Sequence, residues 1–142
     1  MPSRPAPPQH WLVKSEPETY SWSDFQRERT TAWTGVRNYS ARLNLLAMRK
    51  GDHVLFYESV STKAVIGTAR VVETAFPDAT APGENWVAVR LEAGAPLAIP
   101  VTLARIKAEP ALEGMALLRL SRLSVQPVTA AEYVRVVRLG RG

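Results

Sequence analysis

Residues 64–74, Ala-Val-Ile-Gly-Thr-Ala-Arg-Val-Val-Glu-Thr, and residues 85–93, Asn-Trp-Val-Ala-Val-Arg-Leu-Glu-Ala, form two apolar-rich stretches that predict β-strands. In the second stretch the apolar side chains of Val87, Val89 and Leu91 recur at every other position, which is typical of a strand with one buried face. Gly67 lies inside the first stretch and indicates a bulge or a close backbone approach, which small closed sheets need at their corners. This pair of strands therefore indicates a small β-barrel.

Further strands are predicted on both sides of this pair, at residues 10–16, 53–59 and 122–128. Pro96 and Pro100 confine residues 97–101 to an edge strand or an irregular one, because proline cannot donate to a sheet. The stretch from Phe76 to Glu84 contains two prolines and a glycine, and it is predicted as a loop. The resulting fold class is α+β.

Four helices are predicted, each after a polar residue that can cap its first turn. The longest should begin after Asn38 and reach about Lys50, with Tyr39, Leu43 and Leu46 on one apolar face that Leu45 and Met48 widen. Gly51 follows at the terminating position, where a positive φ costs little. The other three predicted helices are residues 22–29 after Ser21, residues 103–107 after Thr102, and residues 130–139 after Thr129.

The composition indicates one domain and excludes several classes of protein. The chain has 142 residues, of which 46% are hydrophobic, and a net charge of +5. This length suits a single core, here residues 10–142, with the proline-rich residues 1–9 as a flexible tail. No apolar run approaches the roughly 20 residues of a membrane span, and no signal peptide is evident. We expect a cytoplasmic location, or a nuclear one in a eukaryote.

The charge and the missing residue types bear on function. The two ends of the chain are basic and the middle is slightly acidic, which favours a phosphate-binding surface without requiring one. The absence of cysteine removes thiolate nucleophiles and cysteine-ligated zinc, and His10 and His53 are the only histidines. No glycine-rich phosphate-binding motif or nucleophile elbow is present. The sequence therefore predicts no catalytic residues, no metal site and no cofactor.

Three of the four tryptophans, Trp11, Trp22 and Trp33, fall within 23 residues, among polar side chains. Indole faces stack on bases and amides read base edges, so this cluster could form a pocket for an unstacked nucleobase. The alternative is that the tryptophans only fill the core. Residues alone do not decide between these two interpretations.

The segment from Trp33 to Asn38, Trp-Thr-Gly-Val-Arg-Asn, places a glycine turn between an aromatic residue and the start of a helix. Such a turn can direct backbone N–H groups towards one spot, where a carbonyl or phosphate oxygen would bind. It can equally be a simple helix cap with Arg37 in solvent.

Several motifs resemble the EVE domain family in order and in spacing, from about Trp11 to Leu139. The resemblance implies a PUA-like fold, related to YTH and ASCH domains, and a non-catalytic reader of modified bases in DNA or RNA, with 5-methylcytosine among the candidate bases. Protein partners are not indicated. The matching motifs are Trp11-Leu-Val-Lys-Ser-Glu-Pro17, Trp33-Thr-Gly-Val-Arg-Asn-Tyr39, Lys50-Gly-Asp52, Phe56-Tyr57 and Arg122-Leu-Ser-Val-Gln-Pro-Val128.

The resemblance also implies a site. Trp22 and Trp33 would be the walls of a base pocket, with Tyr57 as a further wall or hydroxyl. Ser15 and Asn38 would supply hydrogen bonds to the base. The phosphates would be met by three basic residues: Lys14, Arg37 and Arg122.

One position departs from the family, because members often have histidine where this chain has Glu58. Strand alternation places Glu58 on the face opposite Tyr57 and Ser59, so it either favours donors on a ligand or points away from the pocket.

Two other functions stay open. One is a hydrolase of modified nucleosides, as in some ASCH-like domains, with Lys14 and Glu16 or Glu58 as nucleophile and base. The other is a small-ligand or protein-binding module.

Overall fold

Six strands form one mixed sheet in the structure, a computed structural model that describes residues 9–141. The strand order is β2-β5-β4-β3-β1-β6. Strands β1 and β3 are parallel and the other pairs are antiparallel, so the predicted α+β class is confirmed. The sheet is open, with β2 and β6 at its two edges, so the closed barrel that the sequence indicated does not form. The strands are β1 (His10–Ser15), β2 (Thr30–Ala32), β3 (His53–Glu58), β4 (Ala64–Pro77), β5 (Val87–Thr102) and β6 (Val125–Val128).

The long hairpin β4–β5 contains the bend that Gly67 indicates. The pairing register shifts on both sides of Gly67. A Cβ atom at this position would lie 2.5 Å from the Trp22 ring, so the ring occupies the space that a side chain would need. The close approach predicted from the sequence is therefore confirmed, and the approaching group is an indole.

Strand β5 is longer than predicted, because residues 94–102 continue the ladder past Pro96 and Pro100. The register shifts near Pro96 show where the ladder is irregular. The final strand is shorter than predicted and begins at Val125 rather than Arg122. The short strand β2, helix α4 and the 3₁₀ turn at Pro110–Leu112 were not predicted, since each has only three or four residues.

All four predicted caps are present. The side chains of Ser21, Asn38, Thr102 and Thr129 each accept a hydrogen bond from a backbone N–H in the first turn of the following helix. In the described residues, no helix is both long enough and apolar enough to cross a membrane. The helices are α1 (Trp22–Glu28), α2 (Tyr39–Ala47), α3 (Leu103–Lys107), α4 (Ala116–Arg119) and α5 (Ala130–Leu139).

The predicted apolar face of α2 is wrong. Tyr39, Leu43 and Leu46 are 74%, 60% and 45% exposed, whereas Ala41 and Leu45 are buried together with Met48 just beyond the helix. Both sets have the same i, i+4, i+7 spacing, so periodicity alone could not choose between them. The helix also ends at Ala47, three residues early, because the backbone at Met48 becomes extended. Gly51, with φ of +94°, then lies in the turn that leads to β3.

Each face of the sheet packs a different kind of side chain. We call the side that carries the tryptophans the aromatic face; α1 and α2 cover it, and it includes Trp11, Trp22, Phe25, Trp33 and Phe56. The opposite side, the aliphatic face, is covered by α3, the 3₁₀ turn, α4 and α5. Alternate residues of β1 point to the two faces, Val13 to the first and Leu12 to the second.

Candidate nucleic-acid interface

A cleft of about 450 Å³ opens on the aromatic side of the protein, where β1 ends and the Trp33 turn begins. Both the first strand and the turn singled out in the sequence contribute to it. The residues that line it are Lys14, Ser15, Glu16, Thr19, Tyr20, Thr31, Ala32, Trp33, Thr34, Gly35, Val36, Arg37 and Ser124.

Trp33 forms a rigid wall of this cleft. Its side chain is only 8% exposed, and its backbone N–H donates to the Val89 carbonyl oxygen at 2.7 Å. Its ring meets Tyr20, Phe25 and Phe56 in edge-on contacts, with centroids 5.8–6.4 Å apart. Trp33 therefore belongs to the core and to the cleft at once, so the two interpretations of this tryptophan do not exclude each other.

Tyr20 stands beside Trp33 as a second aromatic group. Burial, together with the hydrogen bond from its hydroxyl to Glu28 at 2.6 Å, raises the pKa of Tyr20 to about 12. The Ser15 hydroxyl donates to the Tyr20 carbonyl oxygen, also at 2.6 Å. Ser15 thus lines the cleft, and its hydroxyl proton holds the local backbone in place.

The turn after Trp33 is organised by Asp78, a buried residue from the loop that follows β4. Its carboxylate accepts hydrogen bonds from the Gly35 N–H at 2.8 Å, from Arg37 at 3.2 Å and from Thr80. Burial on its own raises the pKa of Asp78, but the hydrogen bonds from Thr80, Gly35 and Arg37 outweigh it and lower the pKa to about 2. The Gly35 N–H is therefore already paired and is not a free donor to a ligand.

Lys14 and Glu16 place opposite charges along one side of the cleft. The Lys14 ammonium donates to the Ser121 carbonyl oxygen at 2.7 Å, and burial lowers the pKa of Lys14. Glu16 is exposed. An ammonium has three N–H bonds, so Lys14 can hold this carbonyl and still meet an anion or a base oxygen.

A second groove, of about 350 Å³, adjoins the cleft and holds Asn38 and Arg122. The hydrogen bond from Lys14 to Ser121 joins the two depressions, because Ser121 lines the groove. The Asn38 side-chain oxygen caps α2 by accepting from the Ala41 N–H at 2.9 Å. Arg122 is exposed at the groove, close to the cleft but outside its lining.

The structure does not bring Trp22 and Tyr57 to the cleft, contrary to their predicted place as pocket walls. Trp22 is packed against Gly67 and Phe56 inside the aromatic face. Tyr57 belongs to the aliphatic face, where burial raises its pKa. Trp22 lies within the core of the aromatic face, and Tyr57 lies on the opposite face of the sheet. The sequence spacing did not reveal either placement.

Glu58 has a structural partner of its own. Its carboxylate accepts from the Trp22 backbone N–H at 2.8 Å and from the Thr62 hydroxyl at 3.0 Å, so it satisfies the first turn of α1. It is buried and does not line the cleft. An acid at position 58 therefore holds Trp22 in place.

Sequence reasoning missed Tyr20, Thr31 and Asp78. For Tyr20, the signal in the sequence was an aromatic residue three positions after Pro17, close to the end of the first strand. Asp78 lies 43 residues from Gly35 in a loop, and no local pattern links the two. Between residues 9 and 141, no group of three or more histidines or acids is arranged to hold a metal ion.

A mixed six-stranded sheet with helices on both faces and a cleft at the end of its first strand is the arrangement of a PUA-like protein. The chain belongs to the EVE domain family, whose model matches residues 9–139. The predicted family is therefore confirmed.

Relatives and solved structures agree with this family. Human thymocyte nuclear protein 1 is 33% identical over 92% of this chain and 73% of its own length. A protein from Rhodopseudomonas palustris is 48% identical with a TM-score of 0.88, covering 93% of this chain and 92% of its own. Human THYN1 protein, solved in complex with 5-methylcytosine-containing DNA, is 31% identical with a TM-score of 0.87, over 94% of this chain and 98% of its own.

One distant neighbour shows the fold alone. The ASCH structure from Zymomonas mobilis is 13% identical with a TM-score of 0.58, over 92% of this chain.

Proposed function

We propose that this chain is a non-catalytic reader that takes a modified base of DNA or RNA into the cleft beside Trp33. The observation that carries the proposal is the cleft itself, in which a fixed aromatic wall meets Lys14, Arg37 and Glu16. The structure of human THYN1 protein with 5-methylcytosine-containing DNA supports methylated cytosine as the first base to test.

The chemistry of a base fits this cleft. Trp33 would close one edge of the pocket with the small exposed part of its ring. The Glu16 carboxylate would accept from the exocyclic amino group of cytosine, and Lys14 would donate to a ring oxygen or a phosphate. An extruded base has lost its stacking partners, so the cleft must replace them.

The backbone would be held outside the cleft by cations. Arg37 at the cleft edge and Arg122 at the adjoining groove, which Asn38 also lines, would meet phosphates. We propose that the protein is located in the same compartment as its nucleic acid, which is the cytoplasm of a bacterium or the nucleus of a eukaryote.

A fluorescence-polarisation titration at fixed, near-physiological salt tests the proposal. Labelled DNA and RNA, each with cytosine or 5-methylcytosine at one position, are compared on wild type, Glu16→Ala and Trp33→Phe. We expect wild type to prefer the modified probe and both variants to lose most of that preference. The matched control is Glu113→Ala, which removes an exposed acid from the other side of the sheet. An unchanged preference in both cleft variants would overturn the assignment.

A hydrolase is the second candidate, and the lowered pKa of the partly buried Lys14 beside Glu16 favours it. An amine with a lowered pKa carries more of its free-base form at neutral pH and is a better nucleophile. Incubation with acylated and alkylated cytidines, followed by chromatography, separates the two functions. A reader returns the nucleoside unchanged, and product that forms with wild type but not with Lys14→Ala supports the enzyme.

A further inference from the structure

A second aromatic surface lies just outside the cleft, formed by Tyr39 at the start of α2 and Trp86 before β5. The two ring centroids are 5.4 Å apart with their planes tilted by 31°. The Arg37 guanidinium carbon lies 5.7 Å from the centre of the Trp86 ring. We call Arg37, Tyr39 and Trp86 the outer platform.

The outer platform is exposed and yet held in place. Tyr39 is 74% exposed, although its ring rests on Trp86. The Trp86 carbonyl oxygen accepts from the Asp78 N–H at 2.9 Å, and Arg42 donates to the neighbouring Asn85 carbonyl oxygen. These hydrogen bonds fix the backbone that carries Trp86, and the Tyr39 ring that rests on it faces solvent.

Such a surface has the composition that binds unpaired bases. An exposed tyrosine offers a stacking face to any base, and a guanidinium over an indole adds a cation beside it. Arg42 brings a second positive charge to the same end of α2, and within the described residues the one acid in direct contact with Arg37 is Asp78. The Tyr39 side chain is 74% exposed to solvent, so a role in the core does not explain it.

The position relative to the cleft indicates which base would bind there. Arg37 lines the cleft and also lies over Trp86, so one side chain belongs to both sites. We propose that the outer platform stacks the base next to the one held in the cleft, on the same strand. This inference rests on the proposed function and adds a second contact that is indifferent to the modification.

The test uses a labelled single-stranded DNA of about nine nucleotides with 5-methylcytosine at its centre, at fixed salt. We expect Tyr39→Ala to weaken binding about tenfold for modified and plain strands alike, which corresponds to about 1.4 kcal/mol. Tyr39→Phe keeps the ring and should bind like wild type. Ile99→Ala, which removes another exposed apolar side chain beside α5, is the matched control.

A double-mutant cycle identifies the base that is stacked. Replacing the base on one side of the 5-methylcytosine by an abasic spacer should weaken binding to wild type about tenfold and have little further effect on Tyr39→Ala. The spacer on the other side should act equally on both proteins. The side that shows the coupling gives the direction of the strand across the platform.

The results for the platform and for the cleft are separable. Tyr39→Ala that binds both strands like wild type overturns the platform. Additive effects of the spacers on both sides also overturn it. Wild type that binds both strands equally well overturns the proposed function of the cleft, whatever Tyr39→Ala does.

Discussion

The two faces of the sheet are stabilised by different means. On the aromatic face, three buried carboxylates reach across 36–43 residues to the segments that carry the tryptophans. Asp52 accepts from the Trp11 indole, Glu58 from the Trp22 backbone and Asp78 from Gly35, two residues after Trp33. On the aliphatic face, four helical elements cover the side chains, and Glu109 joins two of them, α3 and α5, through Arg105 and Arg135.

This difference explains why the cleft lies where it does. Among the helices of residues 9–141, two cover the aromatic face, α1 and α2, and α1 has just seven residues. The aromatic side chains and the loops beside them are held by hydrogen bonds to acids instead of by further helices. A face that is fixed in this way can stay open to a ligand without losing its shape, because each buried carboxylate is paired with specific donors and so favours one arrangement.

Of the variants that test this comparison, Asp52→Ala should lower the free energy of unfolding the most. It leaves three donors without an acceptor: the N–H groups of Gln9 and Arg49 and the indole N–H of Trp11. We expect the free energy of unfolding to fall by about 4 kcal/mol. Urea titration followed by circular dichroism measures it.

The matched variant on the other face is Glu109→Ala, which removes partly exposed ion pairs with two arginines. Glu109 is itself buried, but its arginine partners are 52% and 42% exposed and stay hydrated without it, so the loss should be smaller. Equal losses in Asp52→Ala and Glu109→Ala would contradict the distinction between the two faces.

Gly67→Ala should be the next most destabilising change. The new methyl group would lie 2.5 Å from the Trp22 ring, which is packed among other rings and cannot withdraw. We expect a loss of about 3 kcal/mol in the free energy of unfolding. Gly114→Ala is the control, since nothing lies within 4 Å of its added Cβ, and it should stay within about 1 kcal/mol of wild type.

Acid should weaken the aromatic face through Asp78. Its pKa of about 2 in the folded protein lies below the ordinary value of 3.8, so the unfolded chain binds the proton more readily. The stabilisation, about 2 kcal/mol, is complete above pH 4 and is lost as the pH falls through about 2. Unfolding of wild type and Asp78→Asn at several pH values should give curves that converge towards pH 2. A constant difference between the curves would show that the Asp78 charge is not involved.

The smallest expected effect is that of single phosphate contacts at the edge of the cleft. Arg122→Ala should weaken nucleic-acid binding equally for modified and plain probes and reduce the slope of log affinity against log salt by about 1. Arg138→Ala removes the same charge from α5, which covers the aliphatic face, and should leave the slope unchanged. Equal slopes for the two variants would mean that the protein binds through its overall charge.

Much of the fold could be predicted because its signals are local. Capping side chains, alternation along β5 and the glycine at position 67 each act within a few residues, and the structure bears all of them out. The buried face of α2 could not be predicted. Two sets of apolar residues share its helical spacing, and only the neighbouring strands decide which set is covered.

For the candidate site, the sequence by itself determined the types of residue and the two segments that carry them, residues 11–17 and 33–39, together with the family. Tertiary structure alone decided that Trp33 lines the cleft while Trp22 does not, and that Asp78 pairs with the Gly35 N–H. The physical reason is the distance along the chain over which each interaction acts. Caps and periodicity act within one turn or one strand, whereas the groups that shape the cleft meet across some 40 residues of chain and come together only when the sheet forms.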